Sequence, residues 1–297
     1  MDNRTDLYKK ALCETMKAFV RFCEDNNLRY YACGGTCLGA IRHKGMIPWD
    51  DDIDVAMPRD DYETLLSLRQ KVKPDFEIVD YQTPNYYLPY AKFSNANTTV
   101  VEQLDFVVNM GVYIDIFPFD EVGDLMIAEK LHSVKNKSFD KYCSTFKKIS
   151  VHKIIDLLFH LHLKTVFKDL FYAKICKRYK SRYLAAYLDI ERNIQKQKGD
   201  KCMYYGGYYG FQKELCDKKW FGEGLKVPFE DFFVIVPNDY NAYLSQLYGD
   251  YMTPPPVECR SSHHGRYFVD LKKRWDIREV MKFKINNVKN VIKRFES

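Results

Sequence analysis

Asp50, Asp51, Asp52 and Asp54 crowd the end of the stretch GGTCLGAIRHKGMIPWDDDIDVAMPRDDY, which runs from Gly34 to Tyr62. Side-by-side carboxylates on a partly dry surface raise one another's pKa and cost stability, so a fold that gathers them needs a counter-charge. Oxygen ligands with few other donors suit a hard divalent ion, Mg2+ or Mn2+, which keeps waters and also binds substrate phosphates. Asp52 and Asp54 are two apart and so share one face of a strand. Asp115, in VYIDIFPFD, is the natural third ligand if its strand lies beside theirs. The plainer reading, a solvated acidic loop, is weakened by Ile53 and Val55, whose alternation with the acids marks a half-buried strand.

Gly34-Gly35-Thr36 supplies a second half to this chemistry. Backbone without side chains at the start of a helix can approach an anion, and its N–H groups point at phosphate. Gly-Gly alone is weak evidence of this, because turns use it freely. The order strand, Gly-Gly-Thr, helix, Asp-x-Asp strand and a later acidic strand is more specific, and it resembles the pattern of the nucleotidyltransferase superfamily.

The elements that must position these residues can be read from periodicity. Leu12, Met16, Phe19 and Cys23 recur at helical spacing, with Thr5 or Asp6 as cap and Asn26-Asn27 as the end. Leu28–Cys33 reads as a strand, Gly34-Gly35-Thr36 as the turn leaving it, and Leu38–Arg42 as one or two helical turns. Pro58 stops the acidic strand, and Arg59–Leu68 is expected to be helical. Further strands are expected over Phe76–Tyr81, Pro89–Phe93, Thr98–Glu102 and Val112–Phe117. From Asp124 to about Lys198 the pattern turns helical, followed by a Gly/Tyr-rich loop and Pro-punctuated segments. The expectation is an α+β protein. Its mixed, nucleotidyltransferase-like sheet spans residues 1–124, a helical insertion spans 125–200, and a C-terminal helical and loop section, 201–297, closes the active site.

The intervening residues narrow the resemblance. LGAIRHKGMIPWDDDIDVAMPRDDY resembles the signature of the LicD family, which includes the fukutin-type glycan-modifying enzymes. YAKFSNANTTVVE, VYIDIFPFD, YLSQLYGDYMTPPP and RSSHHGRYF are similar to later segments of the same family. Val257-Glu258-Cys259 departs from the family's more charged stretch before Arg260, which bears on donor or acceptor preference. The resemblance implies a phosphotransferase that moves a phospho-alcohol, phosphocholine or a polyol phosphate, from a CDP-linked donor to a sugar hydroxyl and releases CMP. It implies metal ligation by Asp52, Asp54 and Asp115. Asp50 would face the same pocket, Asp51 would point away, and the general base is Asp115 or Asp50. Arg42, His43 and Lys44 are placed to meet phosphate, Arg42 best of all because its planar fork binds it bidentately. Lys92, inside an otherwise apolar strand, is expected to face substrate. Arg260 with His263 or His264 is expected at phosphate or acceptor. Trp49 and the tyrosines of MYYGGYYGF suit either stacking on a base or sugar, or the core. The rivals are nucleotidyl transfer on the same metal site, and a non-catalytic relative that binds glycan or nucleotide; the intact acids speak against the second.

Composition sets the remaining bounds. The chain has 297 residues, a net charge of +6 and 9 cysteines. The cysteines are scattered without a Cys-x-x-Cys pair, which fits buried thiols in a reducing compartment. MDNRTDLYKK carries early acids and no apolar core, so it does not read as a signal peptide, and no run is long enough to span a membrane. A cytoplasmic protein is expected, at the inner face of the membrane if the basic, Leu/Phe-interleaved stretch 141–182 lies on anionic lipid. That placement would suit a lipid-linked sugar acceptor. No nucleic-acid module accompanies the charge.

Overall fold

The computed structural model describes residues 3–102, 108–146, 178–207, 209–260 and 265–280. Helix α1 (Asn3–Asp25) buries Leu12, Met16, Phe19 and Cys23 along one stripe. It begins before Thr5 and Asp6, so neither caps it; Asp6 lies in the first turn, where a negative charge is favoured by the helix dipole. Asn27 adopts the left-handed conformation at φ 54°, and the Leu28 amide closes the helix on Cys23.

Strand β1 (Tyr31–Ala32) is shorter than expected, and helix α2 (Gly34–His43) is longer. Gly34-Gly35-Thr36 is therefore the first turn of α2 itself and not a separate turn before it. Strand β2 (Asp54–Pro58) leads into α3 (Arg59–Ser67). Then follow β3 (Phe76–Val79), β4 (Ala91–Asn95), β5 (Thr99–Val101) and β6 (Tyr113–Val122). Helices α4 (Leu125–Cys143) and α5 (Lys180–Gln195) come next. The C-terminal section holds β7 (Lys201–Met203), the short α6 (Phe211–Glu214), β8 (Cys216–Asp217), β9 (Leu225–Phe229), β10 (Phe232–Val236), α7 (Tyr240–Tyr248) and β11 (Phe268–Asp270).

The main sheet runs β1-β2-β6-β4-β3, with β7 on the far half of β6 and β8 on β7. β2 and β6 are parallel and the other pairs are antiparallel. The chain is thus a mixed α+β fold, but its sheet is not confined to the first 120 residues: β7 and β8 extend it, and β11 pairs with β5. Alternation divides the sheet. Val55, Met57, Phe93, Ile114 and Ile116 are buried, and Phe93 meets Phe19 of α1 with ring centroids 5.6 Å apart. Burying one such phenylalanine is worth roughly 2 kcal/mol. Residues of opposite parity (Asp54, Lys92, Asp115 and Phe117) line the other face.

Among the described residues, Cys13, Cys23, Cys33, Cys37, Cys202 and Cys216 are buried free thiols and Cys259 is exposed. No described helix is long and apolar enough to cross a membrane. Most of the basic stretch 141–182 lies outside the described residues, as do His263 and His264.

Candidate active site

Strand register builds the centre of the site. Parallel pairing sets Asp54 of β2 opposite Asp115 of β6, and antiparallel pairing sets Lys92 of β4 opposite the same Asp115. β2 starts only at Asp54, so Asp52 lies just before the strand and not on it as expected. The ladder nonetheless reaches one residue further back, because the Asp115 amide donates to the Ile53 carbonyl at 2.9 Å.

Lys92 is buried, and its ammonium lies 2.5 Å from Asp115 Oδ1 and 3.5 Å from the centre of the Tyr113 ring. Burial alone would lower its pKa, but the Asp115 charge, the Glu102 charge and the hydrogen bond to Asp115 together offset this and hold Lys92 above the usual lysine value. Lys92 therefore directs its charge to Asp115 and not to open substrate space, contrary to the sequence expectation.

The glycine turn serves the carboxylates directly. Gly34 has φ +51°, a conformation that side chains disfavour, and its N–H donates to the Tyr243 hydroxyl at 3.0 Å. A Cβ on Gly35 would come within 2.8 Å of Asp50 Oδ2, so the missing side chain leaves room for that carboxylate at the start of α2. There the helix dipole favours negative charge. Thr36 is buried, and its hydroxyl accepts from the Asp54 amide at 2.8 Å.

Burial is the largest influence on Asp54 and raises its pKa well above the usual carboxylate value. The charges of Asp52, Asp115 and Asp50 push the same way, with Lys92 opposing. Among the described residues, the three acids with oxygens all within 4.8 Å of one another are Asp50, Asp51 and Asp52. Asp51, however, is buried and ion-paired to Arg266. The structure thus gathers Asp50, Asp52, Asp54 and Asp115 around one excess of negative charge and turns Asp51 to another partner. This is the setting a divalent cation reverses in sign, and the all-oxygen donor set fits Mg2+ or Mn2+.

Trp49 sits between guanidinium groups, with Arg260 Cζ 4.8 Å and Arg42 Cζ 6.0 Å from its ring, and His43 meets it edge-on at 5.9 Å. Trp49 is thus a platform for arginines. Burial lowers the Arg42 pKa and the nearby Arg260 charge lowers it further; Arg42 donates to the Tyr251 carbonyl and to His43, and Arg260 donates to the Pro255 carbonyl. Two like charges held together in this way suit an anion. Lys44 is exposed at the opposite end of α2 from the acids, and its left-handed backbone caps the helix, so it is not brought into the cluster.

The sequence reading missed several contributors. Tyr248 places its hydroxyl near Gly34 and 3.2 Å from the Tyr209 hydroxyl. Glu214 accepts from the Tyr209 amide at 3.2 Å, and burial pushes its carboxyl up to about 7. Tyr248 and Arg266 lie in YLSQLYGDYMTPPP and RSSHHGRYF, so their segments had drawn attention even though the residues had not. Nothing in the pattern around Glu214 marks it.

Comparison with known proteins places the chain in a family. Residues 27–161 match the family described as LicD/FKTN/FKRP, nucleotidyltransferase domain. The lipopolysaccharide cholinephosphotransferase LicD of Haemophilus influenzae is 30% identical over 261 residues, which cover 83% of this chain and 90% of that protein. Human ribitol 5-phosphate transferase FKRP is 40% identical over 60 residues, 20% of this chain and 12% of that one. Mouse ribitol-5-phosphate transferase FKTN is 26% identical over 167 residues, 56% and 33% respectively. With sequence likeness running almost the length of one relative and the family's own pattern matching residues 27–161, this chain belongs to the LicD family.

Proposed function

We propose that the chain is a phospho-alcohol transferase with a nucleotidyltransferase-like core, moving a phosphocholine or polyol phosphate group from a CDP-linked donor to a sugar hydroxyl of a glycan precursor. The observation that supports this best is the register of Asp54 against Asp115, with Asp50 and Asp52 adding to a negative charge that Lys92 only partly offsets. Mg2+ or Mn2+ would be held by Asp52, Asp54 and Asp115, and when bound would supply Lewis acidity toward the diphosphate oxygens.

The remaining roles follow from the side chains. Arg42 and Arg260 bind phosphate oxygens and neutralise charge as it develops on the leaving CMP. The bond from the acceptor oxygen to phosphorus forms as the bond to CMP breaks, and CMP departs with that electron pair. The hydroxyl proton goes to a carboxylate of the cluster, Asp115 or Asp50. The acceptor is placed on a lipid carrier. Contact with an anionic membrane surface falls to the stretch 141–182, of which Lys141, Arg178, Lys180 and Arg182 are exposed.

The test is incubation with CDP-choline, CDP-ribitol and CDP-glycerol in Mg2+, reading CMP release. One donor should respond, and Asp54→Ala should reduce release roughly 10²–10³-fold, the range for losing a group that stabilises developing charge. Pyrophosphate release from a nucleoside triphosphate would instead establish nucleotidyl transfer. Donor binding with Mg2+ that Asp54→Ala leaves unchanged, without turnover, would establish a binding protein.

A further inference from the structure

Asp51 stands in the middle of the acidic run, yet its surroundings differ from those of its neighbours. It is buried, and Arg266 Nη1 donates to its Oδ2. The second arm of the same guanidinium, Nη2, donates to the Asp51 backbone carbonyl at 2.6 Å. One side chain therefore grips both the side chain and the main chain of one loop residue, a fork geometry that lysine cannot reproduce. Arg266 is itself held. Its guanidinium lies 4.1 Å from the ring centre of Tyr8 in α1. The next residue, Tyr267, donates its amide to the Val101 carbonyl, and Phe268–Asp270 pairs with β5.

The loop is also held from other sides. Lys9 of α1 donates to the carbonyls of Ile47 and Pro48 at 3.2 and 2.7 Å. The Asp51 amide donates to Asp50 Oδ1 at 3.1 Å, so a turn of Asp51 also moves Asp50. Asp50, Asp51 and Asp52 each bring an oxygen within 4.8 Å of the others, so fixing Asp51 on Arg266 also limits where its two neighbours can stand, and both of these raise the Asp54 pKa through their charge.

We propose that Arg266 is a positioning residue: its two-armed grip on Asp51 docks the C-terminal segment onto the acidic loop and thereby sets Asp50 and Asp52 against Asp54. The acidic run then divides its labour, with Asp51 a latch and not a ligand. The inference rests on the proposed metal site for its consequence but not for its geometry, and the experiment separates the two.

Hydrogen–deuterium exchange of wild type, Asp51→Asn, Arg266→Gln, Arg266→Lys and the double variant Asp51→Asn/Arg266→Gln reads the latch itself. Amides of residues 49–53 should exchange roughly tenfold faster in each of the Asn and Gln variants, with β4 and α1 unchanged. The double variant should be no worse than Arg266→Gln, the signature of two groups in one interaction. Arg266→Lys should recover part of the protection, because one arm remains. Unchanged exchange over 49–53 in Arg266→Gln, or singles that multiply in the double, overturns the proposal. Mn2+ binding, read by electron paramagnetic resonance on the same proteins, should weaken roughly tenfold in Arg266→Gln, within the range of contact couplings. A wild type that binds no Mn2+ would sink the metal site while the exchange result still decides the latch. Should Arg266→Gln fail to fold, Asp51→Asn, which leaves the guanidinium grip on the backbone carbonyl, carries the same comparison.

Discussion

Glu214 shows how one carboxyl can register the state of the pocket. It packs where a side chain on Gly207 would stand, with Oε1 2.0 Å from the position of the missing Cβ. Burial pushes its carboxyl up to about 7 against a partial opposing pull from the Tyr209 amide. A carboxyl whose folded pKa exceeds its unfolded one binds its proton more tightly in the native state, so it favours folding at low pH. That contribution is fully present below the unfolded value near ~4.3 and is lost as pH rises toward about 7. Glu214→Gln cannot ionise. Its melting temperature should match wild type near pH 4 and exceed it at pH 8, and identical profiles for the two proteins from pH 4 to 8 would rule this out. Asp54 has the same sign of shift for a related reason, burial reinforced by like charges, but there the excess charge has a proposed use. The sequence displayed the acids plainly because four of the same type in so short a space is a local signal. It did not display Glu214, whose environment is made by Gly207 and Tyr209 folding over it, nor the partner of Asp51, which lies 215 positions away.

Helices α4 and α5 are attached to the catalytic sheet by a buried ionic network, and this attachment is the next level at which the molecule can be tested. Arg59, at the start of α3, donates both to Asp120 of β6 and to Glu191 of α5. Lys135 of α4 is fully buried and lies 2.7 Å from the other oxygen of Glu191, and the Tyr187 hydroxyl donates to that oxygen too. Burial would raise the Glu191 pKa, but Lys135 and Arg59 overcome this and bring it down to about 2. Its contribution to stability is therefore present above the unfolded value near ~4.3 and is lost as pH falls from there toward about 2. Glu191→Gln should cost about 3–5 kcal/mol at neutral pH, because a buried lysine is left without its counter-charge. Urea unfolding would read it, and a loss under 1 kcal/mol would mean that water already screens the pair. The strands around this network were legible from alternation, and β6 was recognised from Val112, Ile114 and Ile116. Its extension to Val122 was not, since Asp120, Glu121 and Val122 gain their partner only when β7 arrives from the C-terminal section. Helix α2 was underread for a different reason: two glycines are poor helix formers, and they are kept there by the space Asp50 needs and by Gly34's backbone angle.

The molecule as a whole sets a strained, acidic centre inside an otherwise well-packed α+β body. Asp50, Asp52, Asp54, the glycines and Arg42 all come from one early stretch, with only Asp115 added from β6, which is why so much of the site could be read locally. Closure comes from far along the chain: Tyr243 and Tyr248 of α7 meet Gly34, Arg260 meets Trp49, and Arg266 meets Asp51. Such contacts are properties of the tertiary fold and leave no spacing in the sequence. Proteins tolerate unfavourable charge at a functional centre when a ligand relieves it. A metal that binds only the folded state stabilises it by mass action, about 2.7 kcal/mol at a free concentration one hundred times its dissociation constant. For a chain of 297 residues that corresponds to a rise of roughly 4 °C in melting temperature. Mg2+ should therefore raise the melting temperature of the wild-type protein, and more so at pH 8 than at pH 6, because protons compete with the metal for Asp54. Asp54→Asn relieves the same repulsion without metal. It should melt above metal-free wild type and respond weakly to Mg2+. A variant that gains as much from Mg2+ as wild type does would place the metal elsewhere, and a wild type with no Mg2+ response at either pH would leave the acidic centre without its proposed counter-ion.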